Sequence, residues 1–202
     1  MSEGLPTSQI EFTTVTLNER GEVQAQHVHH ARQFSEPLGN GIDLEMIALP
    51  GGMFRMGTLG KQGYDDEHPV HQVSVAPFLL GKFLITQAQW RAIMGTPHCR
   101  FTGDRLPVER VSWHDAVRFC ERLSKRTGRT HRLPSEAQWE YACRARTMTP
   151  FHCGETITTE VANYNGEFVY RSEPKGVYRH TTTAIDQFPP NAFGLHDMHG
   201  NL

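Results

Sequence analysis

Short alternating apolar runs dominate the first half of the chain. Ile10, Phe12 and Val15 fall on an extended pattern that leads to a polar turn at Asn18-Glu19-Arg20-Gly21, and Val23 opens a second extended stretch. This arrangement predicts a small β-hairpin. Gln33 to Gly41, which contains Pro37 and Gly39, reads as a loop. Leu44, Met46, Ile47 and Leu49 end at Pro50-Gly51-Gly52, and Met53-Phe54-Arg55-Met56-Gly57 follows, so two short strands are expected around the glycines. Val70, Val73 and Val75, then Phe78, Leu80, Phe83 and Ile85, continue the habit.

Three segments switch to helical spacing, and each carries its own start chemistry. Thr86-Gln87-Ala88-Gln89 is a capping box, in which the threonine oxygen satisfies an early amide and the glutamine three residues on reaches back. Gly95 supplies a stop. Ser112 opens a second helix with Asp115 at the same offset; Ala116, Phe119, Cys120 and Leu123 line one face and Gly128 ends it. Ser135 and Gln138 open a third, which carries Trp139, Ala142 and Cys143. Trp90, Trp113 and Trp139 sit beside apolar neighbours and are expected in the core. Beyond Arg146 the chain loses its periodicity, and such a long irregular stretch points to a function or to ordering by a metal.

Composition narrows the function. The 202 residues suit one domain with an extension and can bury a core without metal or disulfide support. Twenty basic against 22 acidic side chains leave a net charge of −2. That balance excludes a dedicated nucleic-acid or anionic-membrane binder, which needs a basic field. Mean hydropathy is −0.50 and no apolar run is long enough to span a bilayer. Met1-Ser2-Glu3-Gly4-Leu5-Pro6 has neither the basic nor the apolar region of a signal peptide, so a cytoplasmic location is expected. Cys99, Cys120, Cys143 and Cys153 then read as reduced thiols, with Cys120 and Cys143 as small core hydrophobes.

Several blocks in order carry a resemblance. They are Ile47-Ala48-Leu49-Pro50-Gly51-Gly52-Met53-Phe54-Arg55-Met56-Gly57, Phe83-Leu84-Ile85-Thr86, Val111-Ser112-Trp113-His114-Asp115-Ala116 and Arg132-Leu133-Pro134-Ser135-Glu136-Ala137-Gln138-Trp139-Glu140-Tyr141-Ala142. The last is Pro189-Pro190-Asn191-Ala192-Phe193-Gly194-Leu195-His196-Asp197-Met198-His199-Gly200-Asn201. Over 44–202 the chain resembles the sulfatase-modifying factor family, whose founding member is the formylglycine-generating enzyme; residues 1–43 then form an N-terminal extension. The resemblance implies an α+β, C-type-lectin-like fold with short strands, few helices and much irregular structure.

It also implies chemistry. Active members look like copper-dependent oxidases that convert a cysteine in an unfolded sulfatase segment to formylglycine. In the family, the block ending at Gly200-Asn201 runs on into a Trp-Glu-Trp stretch, and the copper-binding cysteine pair comes later still. None of the four cysteines here stands at those positions, so copper is expected only in a chain that adds the pair, and the domain reads as incomplete at its C-terminus. A non-catalytic lectin-like module that binds a protein or other ligand is the alternative, and an iron-dependent sulfoxide synthase-type domain a second one. The family also binds calcium in its irregular half. By resemblance, Asn163 and Tyr164 belong to one site, whose further acidic ligand has no counterpart in 174–183. Asp197 and the carbonyl of Gly200 belong to another. Calcium suits such loops because it takes six to eight oxygen ligands in flexible geometry. The histidine pairs His27/His29, His68/His71 and His196/His199, and the acidic run Asp65-Asp66-Glu67, read first as solvated or loop residues.

Overall fold

In the computed structural model, residues 5–58 and 63–202 are described. Six strands, β1 (Ser8–Leu17), β2 (Val23–Pro37), β3 (Asp43–Leu49), β4 (Gly52–Met56), β5 (His71–Val75) and β6 (Phe78–Gly81), precede three helices, α1 (Gln87–Met94), α2 (Trp113–Thr127) and α3 (Glu136–Arg144). The strands form an antiparallel sheet in the order β1-β2-β3-β6 and a separate β4-β5 ribbon. Past α3 there is no further helix or strand in the described residues, only isolated bridges and turns. This is the α+β architecture with short strands and few helices that the sequence predicts.

The expected hairpin turns at Asn18, whose side chain accepts from the amides of Arg20 and Glu22. Its second strand runs further than predicted. Gln33–Pro37 pairs with Ile47–Asp43, so only residues 38–42 form the loop. The alternation of buried Phe34, Glu36 and Leu38 with exposed residues is the strand signal that Pro37 and Gly39 masked. The strands on either side of Pro50-Gly51 do not pair with each other: β3 stays in the large sheet and β4 leaves for the ribbon.

All three capping boxes form. Thr86, Ser112 and Ser135 accept from the amides of Gln89, Asp115 and Gln138, whose side chains return the bond. Gly95 and Gly128 close α1 and α2, while α3 ends on Ala145, a residue with a side chain in the left-handed region. One core lies between α1, α2 and the strand ends: Leu38, Leu44, Trp90, Val108, Phe119 and Leu123, with Trp90 stacked on Phe119 at 5.2 Å. A second joins the sheet, the ribbon and α3 through Ile47, Leu49, Val75, Tyr141 and Ala142 to Phe193 and Leu195 of the irregular half. The third, Leu17, Cys153, Ile157, Val161 and Ala162, pins the hairpin to that half.

Two of the three tryptophans are not in the core. Trp113 is 66% exposed and Trp139 47% exposed. Trp113 opens α2, whose fully buried positions begin at Phe119. Trp139 is in line with Ala142 and Cys143, but cavities rather than side chains lie beside its ring.

An ion pair closes the first core. Glu36 is 2% exposed, and both its oxygens accept from Arg129 Nη1 at 2.9 and 3.1 Å, with His131 Nε2 3.7 Å away. Arg129→Ala strands a buried carboxylate and is expected to destabilise the protein by about 2 kcal/mol, discounted because the arginine itself is partly exposed. Ser112→Ala, which removes a cap, is expected to cost about 1 kcal/mol. Urea denaturation of both variants measures the order, and equal effects would show that Glu36 is hydrated.

Candidate functional site

A cleft of about 750 Å³ opens between the end of the ribbon, the outer face of α3 and the first irregular turns. Its near wall is set by a clamp on Gly57. Glu140 Oε1 accepts the Gly57 amide at 3.0 Å and Arg144 Nε at 2.7 Å, while Arg144 Nη2 donates to the Gly57 carbonyl at 2.9 Å. Both backbone groups of one residue are thus held by an i,i+4 ion pair of α3. Gly57 itself has φ 99° and its missing Cβ leaves room for the Glu67 carbonyl, so a side chain there would be strained and crowded. Arg144 therefore binds across to the ribbon and does not cap its own helix.

The floor is uncharged. Cys143 donates toward the Met198 carbonyl at 3.6 Å, and its sulfur lies 3.8 and 3.9 Å from the two ring nitrogens of His199. The His152 amide donates to His199 Nε2 at 3.1 Å, which assigns the proton of a neutral His199 ring to Nδ1; the two imidazoles stack with centroids 4.9 Å apart. Burial holds all of these groups neutral. It pushes the Cys143 thiol up to about 12 and His199 down to about 4. It also takes His152 down to about 3, with the neighbouring His199 adding to the effect. Exposed or half-exposed apolar side chains, Trp139, Met148 and Tyr170, line the rim.

The residues expected to bind calcium meet at a junction behind this floor. Asn163 Nδ2 donates to the Thr181 carbonyl at 2.8 Å and to Asn201 Oδ1 at 3.1 Å, and the Asn163 carbonyl accepts the Asn201 amide at 2.8 Å. Asn201 is 2% exposed, and its Oδ1 also accepts the amide and hydroxyl of Thr183. Gly200 packs against the Asn163 carbonyl with no room for a Cβ. Of Tyr164 the resemblance implicates only the backbone carbonyl; its hydroxyl donates to the Ile157 carbonyl at 2.8 Å.

Asp197 differs from its neighbours. Its Oδ2 is buried without a partner, and burial, against a stabilising bond from Asn201, raises its carboxyl to about 7; Asp186 adds to the rise. A buried carboxylate oxygen with no donor fits a hard cation, so this part of the junction suits calcium. Sequence reasoning placed Asp197 and Asn163 in separate sites and missed that Asn201 ties them together. The other candidates stay apart. His196 packs at a tilt against Phe83 and donates from Nδ1 to the Phe188 carbonyl, His27 and His29 meet edge to face on β2, and Asp65–Glu67 forms an exposed turn whose Glu67 accepts from Thr58. Among the described residues no three histidine, cysteine or acidic side chains converge as a metal site.

Residues 42–202 match the family described as a sulfatase-modifying factor enzyme 1-like domain. The formylglycine-generating enzyme of Bos taurus is 34% identical over 64% of this chain and 33% of its own length. The inactive C-alpha-formylglycine-generating enzyme 2 of the same organism is 27% identical over 82% of this chain and 71% of its own. PvdO from Pseudomonas aeruginosa superposes with a TM-score of 0.67 at 29% identity, covering 83% of this chain and 71% of that one.

The neutral histidines make stability depend on pH. His152, His196 and His199 bind protons near pH 6.5 when unfolded but only near 3 to 4 when folded, so their contribution is complete above pH 6.5 and is lost as the pH falls toward 4. Asp197 acts with the opposite sign between its folded value of about 7 and the ordinary 3.8. In an Asp197→Asn background, the unfolding free energy is expected to drop between pH 7.5 and 5 by on the order of 1 to 2 kcal/mol per histidine. His199→Gln, which keeps an acceptor for the His152 amide, should flatten the profile. Urea denaturation across that range reads both; a flat profile in the Asp197→Asn background would mean that the rings take up protons in the folded protein as readily as in the unfolded one.

Proposed function

The chain belongs to the sulfatase-modifying factor family, and from that membership we propose that residues 42–202 are its polypeptide-docking part. The cleft beside α3 receives an extended, unfolded segment such as the cysteine-bearing stretch of a sulfatase. The observation that carries this reading is the cleft's combination of an apolar rim (Trp139, Met148, Tyr170) and an uncharged floor (Cys143, His152, His199). An extended segment brings apolar side chains and unpaired peptide groups. The rim buries the former, and the floor offers short polar atoms to the latter at no cost in desolvated charge.

Oxidation of the bound cysteine is the work of copper in family members that carry the soft thiolate pair. Copper(I) needs two such sulfurs together. Here Cys99 and Cys120 pack against the α1–α2 core, Cys153 is enclosed in the third core with its thiol pushed up to about 11, and Cys143 stands alone in the cleft. What holds and orients the segment is the cleft's rim and floor: Trp139, Met148, Tyr170, Cys143, His152 and His199. The separation of the cysteines also supports the second reading, a lectin-like binding module without chemistry, and a relative bearing the name of an inactive enzyme is consistent with it. Four free thiols support a reducing compartment such as the cytoplasm. No helix among the described residues is long and apolar enough to cross a membrane. Calcium at Asp197, whose buried Oδ2 has no partner, would neutralise that carboxylate and stiffen the turn that carries His199.

A fluorescently labelled, reduced segment of an unfolded sulfatase is expected to bind, and Trp139→Ala to weaken it by about tenfold, as an aromatic anchor at a cleft rim does. Trp113→Ala, at a tryptophan more exposed than Trp139 but outside the cleft, should leave the affinity unchanged; the reverse order would overturn the assignment. With copper(I) and oxygen supplied, the 202-residue chain is expected to convert none of the segment's cysteine to formylglycine by mass spectrometry.

A further inference from the structure

We infer that the fork between β2 and β3 binds a small dianion, a phosphate monoester or a dicarboxylate, through Arg32 and Arg146. The site stands apart from the cleft beside α3 and does not depend on the reading proposed for it. The fork follows from strand register. β2 pairs with β1 from Val23 to Gln33, but with β3 only from Gln33 to Pro37, where Gln33 opposes Ile47. β3 runs on through Ala48 and Leu49 against β6, on its other side. Among the described residues no strand therefore lies beside 29–32 on the β3 side. The gap is a pocket of about 290 Å³, with His29 and Arg32 on the β2 wall, Leu49 and Pro50 on the β3 wall, and Arg146 and Phe193 from beyond α3.

The charge of this pocket has one sign. No acidic side chain lines it. Arg32 Nε donates to Thr7 Oγ1 at 3.0 Å, and the Arg146 guanidinium lies over the Phe193 ring, 5.3 Å from its centroid. Among the described residues neither arginine is paired with a carboxylate; Glu11 of β1 lies 3.2 Å from His30 Nε2. Burial first, then the charges of His27, Arg146 and His30, hold the His29 ring below its ordinary range, so the field of Arg146 reaches the β2 wall and His29 itself is neutral near pH 7. Two guanidinium groups at one small pocket repel each other until negative charge enters between them. Their planar forks match the oxygens of a phosphate or carboxylate, and two positive charges match a dianion.

The backbone places Arg146 there at a conformational cost. Ala145 and Arg146 both stand in the left-handed region, at φ 44° and 76°, where residues with a β-carbon are uncommon. The Thr147 amide closes the turn on the Arg144 carbonyl at 2.9 Å. Two arginines two positions apart thereby serve different places: Arg144 grips Gly57 at the cleft and Arg146 lines the fork. Strained backbone that presents a charged side chain to a pocket is the kind that function retains. The pocket's size, at the foot of the range for ligand sites, suits a compact anion rather than a nucleotide or a peptide.

Calorimetric titration with inorganic phosphate and with succinate, at low ionic strength, tests this. One anion per chain is expected, bound more weakly as sodium chloride is added; the tighter of the two tells phosphoryl from carboxylate recognition. Arg146→Gln and Arg32→Gln should each lower the affinity at least about tenfold, as loss of a charge-assisted contact does. Arg122→Gln, at an exposed arginine of α2 outside the pocket, should leave it unchanged. Binding of neither anion, binding that both fork variants retain, or an equal loss in Arg122→Gln would overturn the inference and leave the reading of the α3 cleft untouched. Should Arg146→Gln fail to fold, Arg32→Gln against Arg122→Gln decides on its own.

Discussion

Residues 147–202 have to bury backbone without the ladders that helices and strands provide, and everything about the site follows from how they do it. An interior amide or carbonyl left without a partner costs about as much as several favourable contacts return. The chain meets this with a few fully buried side-chain amides. Asn191, with no exposed surface, donates to the Ala142 carbonyl at the end of α3 and accepts from the amides of Phe193 and Leu195. Asn201 performs the same service for 163 and 183. Thr159, also buried, accepts the Val177 amide and offers its carbonyl to Arg179. Each such residue replaces a stretch of secondary structure.

Because Asn191 is anchored on α3 and Asn201 on the 163 and 183 turns, the segment between them is fixed at both ends. That segment carries His196, Asp197 and His199. The position of His199 beneath the cleft, and of Asp197 in its unpaired burial, is therefore a consequence of the amide network rather than of any local preference. Asp197 and Asn201 also share a backbone in the left-handed region, at φ 57° and 84°, which asparagine and aspartate tolerate better than most residues.

The electrostatics divide along the same lines. Charge at the cleft comes from Arg55 and from the Glu140–Arg144 pair that grips Gly57, and the floor is kept neutral by burial. Relatives in this family carry the names of a formylglycine-generating enzyme and of an inactive one, so the frame alone does not settle chemistry. In this chain the cysteines that the fold brings inside are spread over separate packing environments.

Local features were readable from the sequence, and those that depend on distant pairing were not. The capping boxes at Thr86, Ser112 and Ser135 and the turn at Asn18 involve residues within four positions of one another, so their spacing alone determined them. The family blocks fixed the fold class and placed Asp197 among possible ligands. The full length of β2 was hidden, because Gln33–Pro37 becomes a strand only when Asp43–Ile47 returns beside it. Trp139 looked like core from its helical register, yet whether a neighbour covers that register is decided elsewhere in the chain. Cys143 and His199 lie 56 residues apart, and Asn163 and Asn201 38 apart, with no pattern linking either pair. Side chains in an irregular segment carry no periodicity that would betray their direction. Only the tertiary structure, by satisfying buried backbone through Asn191 and Asn201, decided which of them meet.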